Sequence, residues 1–177
     1  MKKIVVLGCT GSGKSTFSVK LHNATGLPLY HLDNIWWKPD RTHITREEFD
    51  AILTDLVKRD SWIIDGDYSR TYEKRISACD TVIFLDYGKE VCMNGIIERV
   101  GKDRGDIPWT ESYLDPELVK YVKKYETENR PVLCKLFEKY KDKKIITLHT
   151  REEADKLIDE VMRGDLLGCK DKGVKFT

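Results

Sequence analysis

Gly8-Cys9-Thr10-Gly11-Ser12-Gly13-Lys14-Ser15 follows the apolar run Ile4-Val5-Val6-Leu7 and precedes a segment with helical patterning. Two glycines, a lysine and a Ser/Thr at this spacing, set between a strand and a helix, are what a phosphate-binding loop requires. Gly8, Gly11 and Gly13 let the backbone curl round an anion so that successive N–H groups point inward. The helix that follows adds its N-terminal donors and the positive end of its dipole. Lys14 is placed to reach the β- and γ-phosphates, and the Ser15 hydroxyl to coordinate Mg²⁺. Cys9, Thr10, Ser12 and Thr16 complete the expected nucleotide-binding stretch, Cys9 as a small residue with its backbone turned to the phosphates.

The rest of the chain limits what such a loop can serve. Its 177 residues suit one domain with a full core, and 40% hydrophobic with 34% charged residues describe a soluble globular protein. No apolar run is long enough to span a bilayer, and a strand begins almost at Met1, so neither a membrane segment nor a signal peptide is expected. Cysteines at 9, 79, 92, 134 and 169 are odd in number and form no CxxC, a pattern that suits a reducing cytoplasm. Histidines at 22, 31, 43 and 149 lack the spacing of a zinc site. A net charge of +1 argues against a dedicated nucleic-acid binder. The basic run at 139–144 reads as a solvated helix end.

Periodicity then gives the order of elements. A helix over about 13–25 stops at Gly26, with Phe17, Val19 and Leu21 partly buried. A strand over 29–32 ends at Asp33, and Trp36 and Trp37 follow in a loop. Thr45 and Glu48 form a capping box for a helix reaching Arg59, with Phe49, Ile52, Leu53, Leu56 and Val57 on one face. A strand over 62–64 reaches Asp65-Gly66-Asp67, and a polar, arginine-rich segment follows. A strand over 81–85 ends at Asp86, and a helix spans about 89–100. Residues 101–108 break regular structure. Helices over 115–128 and 131–141, a strand over 144–148 and a helix opened by the capping box Thr150–Glu153 complete the pattern. Ala154, Leu157, Ile158, Val161 and Met162 share its apolar face. Alternating strands and helices mean a parallel sheet covered on both faces, with ligands at the carboxyl ends of the strands. Gly8, Asp33, Asp65, Asp86 and Thr150 should therefore face one crevice.

The loop at 8–15, with Gly26-Leu27-Pro28, Trp62-Ile63-Ile64-Asp65-Gly66 and Phe84-Leu85-Asp86, resembles adenylate-kinase-type small nucleotide kinases. His31-Leu32-Asp33-Asn34-Ile35-Trp36-Trp37-Lys38-Pro39 and Asp65-Gly66-Asp67-Tyr68-Ser69-Arg70-Thr71 resemble, more closely, a bacterial family labelled DNA topology modulation proteins or adenylate-kinase-like proteins. That match runs over nearly all of residues 1–160. The resemblance implies a three-layer α/β P-loop fold with a five-stranded parallel sheet in the order 2-3-1-4-5 and a small helical lid. It implies a kinase domain over 1–164, with an acceptor-binding segment at about 34–60, a lid at about 102–130 and a tail at 165–177.

The same resemblance assigns roles. Asp65 would hold the water shell of Mg²⁺; a turn aspartate before Gly66 is the other reading. Arg70 would grip a transferred or acceptor phosphate, although it lies five residues after Asp65 where adenylate kinases have four. Asp33 stands where kinases of small hydroxyl substrates, such as shikimate kinase, carry an aspartate on the acceptor hydroxyl; an Asx turn cap is the alternative. Trp36, Trp37 and the 45–59 helix would wall that pocket or simply pack. Arg99 and Arg104 would be lid arginines, stacking under the base or binding phosphate oxygens, with Arg130 a further candidate. Asp86 reads as structural, and Thr150 and Arg151 would lie against the base.

The expectation is a cytoplasmic Mg-ATP-dependent phosphotransferase, monomer or homodimer, with ATP and Mg²⁺ as cofactors and Lys14, Asp33, Arg70 and Arg99 as its catalytic residues. Its partner would be a small acceptor, a nucleotide or nucleoside among the candidates. The alternative is a regulatory or DNA-associated ATP-binding protein without a small acceptor.

Overall fold

The computed structural model describes residues 1–165. Five strands, β1 (Lys3–Gly8), β2 (Leu29–His31), β3 (Trp62–Asp65), β4 (Thr81–Leu85) and β5 (Lys144–Leu148), form one sheet in the order β2-β3-β1-β4-β5. All four pairings are parallel, with Val5 opposite Ile64 on one side and Val82 on the other. The central strand is apolar throughout because helices cover both its faces, and Ile4, Val5, Val6 and Leu7 have no exposed surface. On one face lie α1 (Lys14–Thr25) and α8 (Arg151–Met162). The other carries α4 (Tyr72–Ala78) and α7 (Arg130–Lys139), where Phe137 meets Phe84 edge-on. The short α2 (Leu32–Trp36), α3 (Arg46–Lys58), α5 (Lys89–Glu98) and α6 (Pro116–Glu128) complete the set among the described residues. The three-layer fold and strand order agree with expectation. The tail beyond residue 165 lies outside the described residues.

Local chemistry sets the element ends. Thr45 and Glu48 exchange the two bonds of a full capping box at the start of α3. At α8 the Thr150 hydroxyl accepts from the Glu153 N–H, while the Glu153 carboxylate reaches past Thr150 to the His149 N–H at 2.6 Å. The fringe residues of three predicted apolar faces stay exposed: Val19, Ile52 and Met162 lie at the edge of their stripes and face solvent.

Two segments are more regular than their sequences suggest. Residues 32–36 form α2, so Asp33 and Trp36 are helical where a loop is expected; Leu32, fully buried, anchors the turn. The arginine-rich stretch after β3 is a 3₁₀ turn (Ser69–Thr71) running into α4, whose buried face is Tyr72, Arg75 and Ile76. An arginine in the core stripe hides the helical period.

The phosphate loop meets α5 backbone to backbone at Gly11 and Gly95. A Cβ on Gly95 would overlap the Gly11 carbonyl, and one on Gly11 would overlap the Cys92 carbonyl. Helix propensity by itself makes Gly95→Ala stabilising by about 1 kcal/mol. Overlap with fixed backbone reverses the sign, so a net loss of about 1–3 kcal/mol is expected. The check is a lower urea midpoint with an unchanged slope.

Candidate active site

β1 ends at Gly8, where the chain turns into the loop with φ near +148° at Gly8, +80° at Gly11 and +87° at Gly13, values that L side chains rarely adopt. The Ser12 N–H closes a turn onto the Cys9 carbonyl at 3.1 Å. Gly13 caps α1 with no side chain to satisfy the first N–H groups of the helix. Lys14 is buried and donates to the Cys9 carbonyl at 2.8 Å. The Ser12 hydroxyl is buried without a partner. A crevice of about 580 Å³ opens over this cradle.

Thr10, Gly11, Ser12, Gly13, Lys14, Ser15 and Thr16 line the crevice, together with Asp33, Arg99 and Arg104. Gly8 lies beneath it at the strand end. Cys9 faces a second pocket of about 300 Å³, shared with Cys92, Asp86 and Arg130, on the far side of the loop. Arg130 makes a two-bond pair there with Asp86, at 2.7 and 2.8 Å. Arg151 borders the main crevice, while Thr150 acts as the cap of α8. Arg70 is not in the crevice. The 3₁₀ turn at 69–71 directs it outward, half exposed, to Asp50 at 2.6 Å.

Asp65, only 2% exposed, sits at the end of β3. Its Oδ1 lies 2.9 Å from His31 Nδ1, and its Oδ2 is buried with no partner. Burial lowers the His31 pKa, but the hydrogen bond to Asp65 and the charges of Asp65, Asp106 and Asp33 outweigh it and raise it overall. Asp33 Oδ1 accepts from the Tyr68 hydroxyl at 2.8 Å. Burial pushes the Asp33 carboxyl up, helped by the charges of Asp65 and Asp106 and opposed by Tyr68 and Lys14.

The segment between α5 and α6 folds over this floor. Arg99 donates to Thr10 Oγ1 at 3.2 Å and pairs with Glu111 at 2.6 Å. Arg104 pairs with Glu111 at 3.0 Å and with Asp106 at 2.5 Å. Asp106 in turn accepts from the Ser15 hydroxyl at 2.5 Å. Burial raises the Asp106 carboxyl, but Arg104 and Ser15 more than offset that and hold it below its ordinary value. The Asn34 amide donates to the Gly105 carbonyl at 2.8 Å, and Trp37 meets Trp109 edge-on at 5.4 Å. Both expected lid arginines therefore reach the crevice, already paired with carboxylates from their own segment.

His31, Tyr68, Asp106 and Glu111 belong to the site without having been singled out in the sequence. Only the Arg104-Gly105-Asp106 juxtaposition offered a signal, two opposite charges one residue apart in a glycine-broken loop. The residues fit a nucleotide with its cation. The cradle leaves N–H groups, an ammonium and a hydroxyl to be satisfied, and the unpartnered Asp65 Oδ2 is an acceptor beside it.

No family model matches the chain, and no curated protein does. Solved structures are similar. A shikimate kinase from Acinetobacter baumannii in complex with shikimate superposes with a TM-score of 0.61 at 15% identity, over 94% of this chain and 96% of that one. A gluconokinase from Sinorhizobium meliloti 1021 gives 0.54 at 17%, over 92% and 90%. A shikimate kinase from Bacteroides thetaiotaomicron gives 0.53 at 16%, over 90% and 95%. At these identities the likeness shows the fold, that of the small P-loop kinases.

Two outcomes follow from the paired charges. Asp106→Asn removes an anion that competes for Arg104 and Ser15, so inorganic tripolyphosphate should bind about tenfold more tightly in isothermal titration calorimetry, equivalent to about 1.4 kcal/mol. His31 has a raised folded-state pKa, so its tie to Asp65 contributes fully below the unfolded value of 6.5 and is lost as pH rises through the folded value. Urea midpoints should fall with pH above 6.5, and fall less in His31→Gln.

Proposed function

We propose that this chain is a Mg-ATP-dependent phosphotransferase acting on the hydroxyl group of a small acceptor. The observation that carries the reading is the meeting, in one crevice, of Lys14, Ser15, Arg99 and Arg104 with the half-buried acid Asp33. The cations suit the donor phosphates and the acid suits a hydroxyl nucleophile. The fold likeness to small-molecule kinases supports it, as does the resemblance of residues 31–39 and 65–71 to adenylate-kinase-like proteins. We take about 34–60 as the acceptor-binding segment and about 102–130 as the lid; Asn34 and Trp37 touch Gly105 and Trp109 across that divide.

Bound Mg-ATP would supply the γ-phosphoryl group and a cation to offset its charge. Each residue then has a defined task. Lys14, now on the Cys9 carbonyl, would hold phosphate oxygens, and the Ser15 hydroxyl, now on Asp106, would hold the cation. Asp65, tied to His31, would accept from water around that cation. Arg99 and Arg104, now on Glu111 and Asp106, would hold phosphate oxygens. Asp33, oriented by the Tyr68 hydroxyl, accepts the proton of the acceptor hydroxyl as the new bond forms. Its raised pKa makes it a better base than an exposed aspartate. The Trp37–Trp109 contact joins the acceptor segment to the lid segment. Arg70, paired with Asp50 at the surface, has no task in this scheme.

The test is transfer from labelled ATP to a panel of small hydroxyl compounds, with Lys14→Ala as the blank. Lys14→Ala should lose ATP binding. Asp33→Asn should lower kcat about 10²- to 10⁴-fold while leaving ATP affinity within about twofold. ATP turnover without transfer to any compound would favour a regulatory ATP-binding role instead.

A further inference from the structure

We propose that Cys9 and Cys92 form an oxidisable dithiol: a small hydroperoxide converts the pair to a disulfide, and that disulfide lowers the affinity of the loop at 8–15 for nucleotide. The second half of this proposal rests on the reading of that loop as the ATP site.

Both thiols are free, and both line the pocket of about 300 Å³ on the far side of the loop from the crevice. The inner part of this pocket is buried. Cys9 is 3% exposed, Cys92 has no exposed surface, and Val122 and Tyr125 of α6 are buried with them. The rim carries the exposed side chains of Lys89 and Glu126. A peroxide therefore enters from solvent and needs only a small local opening to reach sulfur. The backbones that carry the two cysteines are in contact. The Cys92 carbonyl stands 2.1 Å from where a Cβ on Gly11 would lie, two residues beyond Cys9.

The two thiols also differ in character. Hydrogen bonding from Cys9 lowers the Cys92 thiol, burial opposes this, the charges of Lys14 and Arg151 favour the thiolate, and that of Asp67 disfavours it. The same contact with Cys92, together with burial, pushes the Cys9 thiol up. Cys92 is thus the attacking sulfur and Cys9 the resolving one. In the first step the Cys92 thiolate attacks a peroxide oxygen. An S–O bond forms, the O–O bond breaks, and the leaving alkoxide or hydroxide takes up the proton that Cys92 released. In the second step the Cys9 sulfur attacks the sulfenic sulfur. The S–S bond forms, the S–O bond breaks, and hydroxide leaves with the Cys9 proton as water. Two electrons pass from the two thiols to the peroxide.

The consequence for the loop follows from geometry. A disulfide holds its sulfurs at about 2.05 Å, closer than any non-bonded contact. The loop already meets α5 at Gly11 and Gly95, so the approach would be taken up at Cys9, and its carbonyl would turn with it. That carbonyl accepts from Lys14 Nζ at 2.8 Å and from the Ser12 N–H at 3.1 Å. Oxidation would therefore displace the ammonium and one N–H group of the cradle together.

The experiment compares the full chain kept in dithiothreitol with the same chain treated with a small excess of hydrogen peroxide. Cysteines are mapped by mass spectrometry of non-reduced peptides, and Mg-ADP binding is read by isothermal titration calorimetry. Peroxide should give a cross-linked Cys9–Cys92 peptide pair, two hydrogens lighter than the separate peptides. Mg-ADP affinity should fall about tenfold or more, and dithiothreitol should reverse both changes. Cys92→Ala should bind Mg-ADP within about twofold of the reduced wild type, before and after peroxide. If that variant fails to fold, Cys92→Ser serves the same comparison. Thiols left unmodified, a cross-link through Cys79, Cys134 or Cys169 instead, or a Cys9–Cys92 disulfide with unchanged affinity would each overturn the proposal and leave the ATP-site reading standing. Reduced wild type that fails to bind Mg-ADP overturns both.

Discussion

The contact on which this structure turns has no side chain in it. Gly11 and Gly95 lie backbone to backbone, so the phosphate loop is seated closely on α5. At the other end Gly8 is closed in by the Leu85 carbonyl, where a Cβ would come within 2.7 Å. Closed in at Gly8 and Gly11, the loop takes its backbone shape from the surrounding protein, which favours electrostatic preorganisation. It also buries the Lys14 ammonium. The Cys9 carbonyl at 2.8 Å satisfies only one of its three protons, and burial of a charge is costly unless the rest are met. The cradle is therefore stable enough to form and still short of acceptors.

The same shortage governs the lid. Burial lowers the Arg99 pKa, and the neighbouring Arg104 charge lowers it further. Two guanidiniums this close need anions between them. Glu111 bridges both and Asp106 serves Arg104 and Ser15, giving a continuous chain from Thr10 to Ser15 through the lid. In the proposed reaction a phosphate entering this network would replace carboxylates of similar geometry instead of meeting bare cations.

Much of this was legible in the residues, and what was not has physical causes. The sheet could be read because each strand is a short apolar run ending at a polar or glycine residue. Thr45 and Thr150 announced their helices. Helices α2 and α4 were hidden because their inward positions include an aspartate or an arginine, which break the apolar period while being satisfied by tertiary partners. Arg70 shows the limit of offset arguments. One residue more than the adenylate-kinase spacing is absorbed by a 3₁₀ turn, and the side chain leaves the crevice. Asp106 and Glu111 sit in a loop without periodicity, and no local pattern names a partner ninety residues away in the chain, as Ser15 is for Asp106.

Asp33 and the donor cations are held in opposite ways, and the contrast bears on catalysis. The donor cations rest on exchangeable ion pairs within a loop. Asp33 rests on a buried frame. Gly66, at φ near +127°, packs its backbone on Leu32, leaving no space for a Cβ. Arg75 ties the Gly66 and Tyr68 carbonyls together, and Asp67 accepts from the hydroxyls of Tyr72 in α4 and Tyr121 in α6. Tyr68 then fixes the carboxylate. In the proposed reaction Asp33 would need to stand in one place, since an error of about 1 Å in a base's position can cost about 10²-fold in rate. Burying an arginine to hold a loop costs desolvation that an apolar residue would not. The return is a carboxylate held by Tyr68 and the frame beneath it, apart from the ion pairs among Arg99, Arg104, Asp106 and Glu111.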